Sequence, residues 1–127
     1  MTENEIASRI VNAAYNVHSE LGPGLLESTY EACLSYELSQ MDLAFEVQKA
    51  LPVIYHNVKL ECGYRMDILV NNKVVIEIKS VEALNDVHMA QILTYLKLSG
   101  CKLGFLINFN VKLIKHGIKR VINGKLD

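Results

Sequence analysis

The sequence predicts an α/β domain from three observations. Apolar residues recur at helical spacing near the N-terminus, and short β-branched runs fill the middle of the chain. Between residues 74 and 109 a strand-like, a helix-like and a second strand-like segment follow one another, the form of a crossover between parallel strands. At 127 residues the chain is expected to make a single domain over 1–127, large enough to bury a core without disulfide or metal staples.

Ile6, Ile10, Ala14, Val17 and Leu21 predict an amphipathic helix over 4–21. Gly22-Pro23-Gly24 ends it, because proline cannot continue a helix and glycine accepts the cap conformation. A second helix is expected over 25–40, with Glu27 in its first turn, where the helix dipole favours a carboxylate, and Tyr30 on the same face. Residues 45–55 alternate as a strand broken at Pro52, Asn57 marks a turn, and 59–61 can add a short strand. Strands over 64–70 and 74–79 follow, joined through Asn71-Asn72-Lys73. A third helix, capped by Asn85 or Asp86 and ended by Gly100, carries His88, Gln91 and Tyr95 as a polar stripe. Residues 103–109 are apolar at both parities, as in a buried central strand, and a closing helix or strand is expected within 110–127.

Composition excludes several classes. No apolar run reaches the roughly 18 residues of a membrane span, and Met1-Thr2-Glu3-Asn4-Glu5 is acidic where a signal peptide is basic; a cytoplasmic location is expected. Cys33, Cys62 and Cys101 lack paired spacing and read as buried free thiols. Residues 1–46 hold eight acids against Arg9, whereas residues 99–127 hold six bases against Asp127. A basic end of that kind suits either a polyanion or a solvated face.

The chemistry concentrates in residues 65–79. Ionised groups beside a hydrophobic sheet are costly unless paired or bound to metal. If Val70 pairs with Val74 across a three-residue loop, Asp67 falls opposite Glu77 and Arg65 opposite Lys79, all on one face. Ile68, Val70, Val74, Ile76 and Ile78 then form an apolar opposite face, and a two-residue loop would break this pattern. Two carboxylates so close oppose each other's ionisation unless a cation intervenes, and hard oxygen ligands suit Mg²⁺ or Mn²⁺. Lys79, two residues beyond Glu77 on the same face, is placed to orient or help deprotonate a metal-bound water, or to offset charge developing on a phosphate. The same charges also fit a cross-strand salt-bridge set.

Asp67, nine residues and Glu77-Ile78-Lys79 resemble the signature of the PD-(D/E)XK nuclease superfamily, with Met66 where the pattern has proline. Gly24-x-x-Glu27-x-x-Tyr30 is similar to the motif of the GxxExxY proteins within it, and Gln91-x-x-x-Tyr95 resembles the helix motif of its RecB-like nucleases. The resemblance implies a restriction-endonuclease-like αβββαβ core, a central mixed sheet flanked by helices, with an extra N-terminal helix. It implies Asp67, Glu77 and the Ile78 carbonyl as ligands of Mg²⁺ or Mn²⁺, Glu27 as a further ligand or outer acid, and Lys79 as the catalytic lysine. Gln91 and Tyr95 would position substrate or the active-site strands. Tyr30, His88 and Arg65 complete the positioning candidates, Tyr30 and His88 fitting plain packing equally. The expected function is metal-dependent hydrolysis of phosphodiesters in DNA or RNA, with a homodimer or partner chain to grip substrate. The alternatives are a non-catalytic nucleic-acid- or protein-binding module of the same fold, and a purely structural partner protein.

Overall fold

A computed structural model describes residues 1–126. Helix α1 (Glu3–Leu21) opens with a capping box in which Thr2 and Glu5 satisfy each other's backbone amides. Its buried stripe is Ile6, Ile10, Ala13, Ala14 and Val17. Helix α2 (Glu27–Ser39) begins at Glu27, two residues later than its apolar sequence suggests, with Leu26 as an N-cap residue that makes no side-chain cap bond. Strands β1 (Phe45–Ala50), β2 (Val53–Tyr55), β3 (Val58–Leu60), β4 (Arg65–Val70) and β5 (Val74–Lys79) follow, then α3 (Asp86–Ser99), β6 (Leu103–Asn108) and β7 (Ile118–Ile122). The segment expected to close the chain thus contains a 3-10 turn, Ile114–His116, and an edge strand; Asp127 lies outside the described residues.

The main sheet runs β1-β4-β5-β6-β7. β5 and β6 are parallel, joined through α3, and the other neighbours are antiparallel. Pro52 separates β1 from a hairpin, β2-β3, that leaves the main sheet, because proline supplies no ladder donor. Helices α1 and α2 cover one face with Ile68, Val70, Val74, Ile76 and Ile78. Helix α3 covers the other through Ile92, Tyr95 and Leu96 against Leu69, Val75 and Leu106. β6 is buried along its whole length, as its two-parity apolar sequence requires. Of the thiols, Cys101 is buried and Cys33 half-buried, but Cys62 is exposed, since it sits in the polar stretch after the hairpin. No helix among the described residues is long and apolar enough to cross a membrane.

Candidate active site

The site begins with a turn. β4 and β5 pair Val70 with Val74 and Ile68 with Ile76, across the odd connection expected from the charge pattern. Asn71 and Asn72 take φ of 50° and 58°, a region that asparagine tolerates better than most residues, and the Lys73 amide donates to the Val70 carbonyl at 2.9 Å.

Beyond Ile68 and Ile76 the two strands stop pairing through their backbones. The Asp67 amide donates to Glu77 Oε2 at 2.8 Å, and the Ile78 amide donates to Asp67 Oδ2 at 2.8 Å. Each carboxylate therefore occupies the place of a ladder carbonyl. Strict alternation also ends here. Met66, which strict alternation would put with Ile68 on the α1/α2 side, instead joins the α3-side cluster with Leu69 and Val75. Opposite Asp67 in β1, Gln48 has φ of 54° and makes no ladder pairing. The single face expected for Arg65, Asp67, Glu77 and Lys79 is thus corrected: the strand turns over at Asp67, and Arg65 is exposed, donating to the Gln48 carbonyl at 3.1 Å.

Electrostatics follow from burial. Glu77 is 4% exposed; desolvation, then the charge of Asp67, push its carboxyl up to about 8. Burial also raises Asp67, with the Ile78 amide, Gln48 and the Lys79 charge pulling the other way. No ion pair within 4.0 Å joins Asp67 or Glu77 to Lys79 or Arg65; among the described residues the single ion pair is Lys49–Glu46 at 3.0 Å. The cross-strand salt-bridge set is not formed, so buried Glu77 and half-buried Asp67 stand together with no ion-pair partner within 4.0 Å.

Helix α2 brings two more acids. Glu27 Oε2 accepts from the Ser80 amide at 3.1 Å, and Ser80 Oγ donates to the Leu25 carbonyl at 2.6 Å, stapling the start of α2 to the end of β5. Glu31, one turn later, accepts from Gln48 Nε2 at 2.8 Å, and the same nitrogen donates to Asp67 Oδ1 at 3.2 Å. Sequence reasoning missed Glu31 and Gln48. The i, i+4 spacing of Glu27 and Glu31 was a usable signal; Gln48 offered none, because its role arises from the irregular backbone beside Asp67.

The remaining candidates separate by their hydrogen-bond partners. Gln91 Nε2 donates to the Tyr95 hydroxyl at 3.1 Å, and burial, then the Glu77 charge, raise that hydroxyl; the pair stands beside the acids. Tyr30 is fully buried, stacks on Phe109 at 4.5 Å, donates to the Gly22 carbonyl at 2.6 Å and accepts from the Leu25 amide at 3.2 Å. It holds the loop before α2 and cannot touch a substrate. His88 completes the α3 capping box, its Nδ1 accepting from the Asn85 amide at 3.2 Å, so its ring serves the helix start.

Asp67 and Glu77 offer hard oxygens, and Glu77 Oε1 accepts no hydrogen bond among the described residues. That donor chemistry fits Mg²⁺ or Mn²⁺, which are held by one or two carboxylates with waters and phosphate oxygens completing the shell. Among the described residues no three His, Cys, Asp or Glu side chains converge into a closed metal-holding cluster; Glu27 is turned to Ser80 rather than gathered with the pair.

This fold and acid pair define an α/β nuclease-like domain. A family model described as the PD-(D/E)XK nuclease superfamily matches residues 4–121. The chain belongs to the PD-(D/E)XK nuclease superfamily. Compared with curated proteins and with solved structures, it gives no match.

Proposed function

We propose that residues 1–127 act as a single-domain cytoplasmic nuclease of the GxxExxY group that hydrolyses phosphodiesters in nucleic acid with Mg²⁺ or Mn²⁺. The observation that carries this reading is the Asp67–Glu77 pair, Glu77 buried and Asp67 half-buried, cross-bonded between splayed strand ends with no ion-pair partner within 4.0 Å. Asp67, Glu77 and the Ile78 carbonyl would hold the metal, with Glu27 as a further ligand or outer acid. When bound, the ion supplies Lewis-acid stabilisation of charge on the phosphate. Lys79, half-buried two residues beyond Glu77, orients the attacking water and offsets negative charge on the reacting phosphate. Gln48 fixes the orientation of Asp67 from the β1 side, and the Gln91–Tyr95 pair lines the α3 side of the cleft.

The test is cleavage of a labelled DNA and RNA panel by wild type, Asp67→Ala and Lys79→Ala in Mg²⁺ and Mn²⁺, with thermal melts of each protein. Cleavage abolished in both variants while both remain folded is the expected result. Metal-dependent wild-type cleavage that persists unchanged in both would defeat the site assignment.

A second reading, a binding module that cuts nothing, is favoured by the bonds that both carboxylates already make to backbone amides and by the absence of a three-acid cluster among the described residues. Salt-dependent nucleic-acid affinity without turnover in Mg²⁺, Mn²⁺ or Ca²⁺ would select it.

A further inference from the structure

Beside the acid pair, between the β2-β3 hairpin and α3, lies an open groove of about 510 Å³. Val53, Tyr64, Val87, Gln91, Thr94 and Tyr95 are among its lining residues, and no residue lining it is charged. Tyr64 and Tyr95 meet edge to face at 6.2 Å and 63°, so Tyr95 braces Tyr64 from behind. Tyr64 is nonetheless 48% exposed, and Val87 is 75% exposed. Gln91 and Thr94 supply an amide and a hydroxyl among otherwise aromatic and aliphatic groups, the composition of a site that takes a flat, hydrogen-bonding ring.

Position says which ring. Tyr64 immediately precedes β4, three residues before Asp67, roughly 10 Å at strand rise. Tyr95 links the groove to the field of Glu77. Arg65 is exposed immediately after Tyr64, and Lys79 lies on the acid side. A duplex presents two continuous phosphate backbones and gains affinity mainly from neutralising them. Here four acids, Glu27, Glu31, Asp67 and Glu77, come from the elements around the site, against Arg65 and Lys79 as the nearby bases in its strands. Base stacking on an aromatic ring needs no such charge and contributes about 1–3 kcal/mol per base.

We propose that the groove between the β2-β3 hairpin and α3 binds an unstacked base of single-stranded nucleic acid, with Tyr64 as the stacking platform beside the phosphodiester site. This rests on the nuclease reading for its placement, but binding at the groove is measurable without turnover.

The sequence contains no tryptophan, so Tyr64→Trp introduces one emitter at an exposed position. Oligothymidylate is titrated in EDTA against this variant, with a duplex of equal length and polyglutamate as controls, and anisotropy of labelled oligothymidylate is followed for wild type and Tyr64→Ala. Expected are quenching by the single strand and not by the controls, and a roughly 5- to 150-fold affinity loss in Tyr64→Ala, the stacking energy expressed as a ratio. Unchanged affinity in Tyr64→Ala, no quenching by the single strand, or tighter binding of duplex overturns the proposal, even if metal-dependent cleavage is observed. Quenching with loss of affinity in Tyr64→Ala, but no cleavage in any metal, upholds the groove and defeats the nuclease reading instead. Thermal melts of both variants exclude misfolding as the cause.

Discussion

Asp67 and Glu77 exchange strands: each carboxylate accepts an amide from the opposite strand, at 2.8 Å in both cases, at the point where β4 and β5 cease to pair. The bonds fix two acids side by side where two interior strands splay apart, and that arrangement costs stability whenever both are ionised.

The first prediction concerns pH. Glu77 has an ordinary value of 4.5 and a folded value of about 8, so the folded chain holds a proton that the unfolded chain releases. Its stabilising contribution is therefore full below about 4.5 and is lost as pH rises through 8; Asp67, also raised, acts in the same direction. Glu77→Gln keeps an oxygen for the Asp67 amide but cannot ionise. In EDTA the variant should melt higher than wild type at pH 8–9, by a few degrees, with the gap closing toward pH 5. Mn²⁺ should raise the wild-type Tm at pH 8 more than that of the variant. Parallel Tm–pH curves for the two proteins would refute the electrostatic account.

The second concerns the loop before α2. Tyr30→Phe keeps the stack on Phe109 but removes the bonds to the Gly22 carbonyl and the Leu25 amide. Stability should fall by about 1–3 kcal/mol in urea unfolding, because a buried donor–acceptor pair loses its partner. Leu25 also anchors Ser80, whose amide holds Glu27. Amide exchange at Leu25 and Ser80 should therefore accelerate together; acceleration at Leu25 alone would show that the two contacts are uncoupled.

What the sequence made legible was whatever period or spacing encodes. The two-parity apolar run of 103–108 marked a central strand, and the demand that Asp67 and Glu77 share a register fixed the three-residue turn at Asn71. Irregular geometry was not legible. Nothing in a pattern of period two reports that β4 turns over at Asp67, or that Gln48 reaches both Glu31 and Asp67. Tyr30 and Tyr95 are both motif tyrosines and both buried, yet their partners differ: Tyr30 clamps the loop before α2, and Tyr95 bonds Gln91 beside the acids.

The third prediction tests how the end of β5 is held. Asn108 is 2% exposed, and its side chain accepts from the Val81 amide at 3.1 Å and donates to the Val81 carbonyl at 3.0 Å. It thereby pins the chain just after Lys79 and Ser80. Asn108→Ala leaves the Val81 amide without its partner, while the Val81 carbonyl keeps Asn110 Nδ2 at 3.2 Å, and should cost about 1–3 kcal/mol. Asn108→Asp retains an acceptor but no donor, and should recover only part of the loss in urea unfolding. Equal stability of Ala and Asp variants would show that the Val81 amide finds water instead.

The fourth concerns the seat of α3. A Cβ added at Gly104 would stand 3.0 Å from Ile92 Cδ1 and 3.1 Å from Leu96 Cδ2, and both side chains are fully buried. The bare backbone of β6 therefore lets α3 approach the sheet closely enough to set Gln91 and Tyr95 beside Glu77. Gly104→Val should overpack this contact, costing about 1–3 kcal/mol and displacing the Gln91–Tyr95 pair, so any cleavage should lose kcat beyond what the melt explains. Ile92→Ala alone should cost about 2–5 kcal/mol by leaving a cavity. Combined, the two substitutions fill each other's defect, and the double variant should be more stable than the sum of the single losses predicts. Strict additivity in the double-mutant cycle would mean that α3 is not seated by this contact and that the position of Tyr95 is set elsewhere.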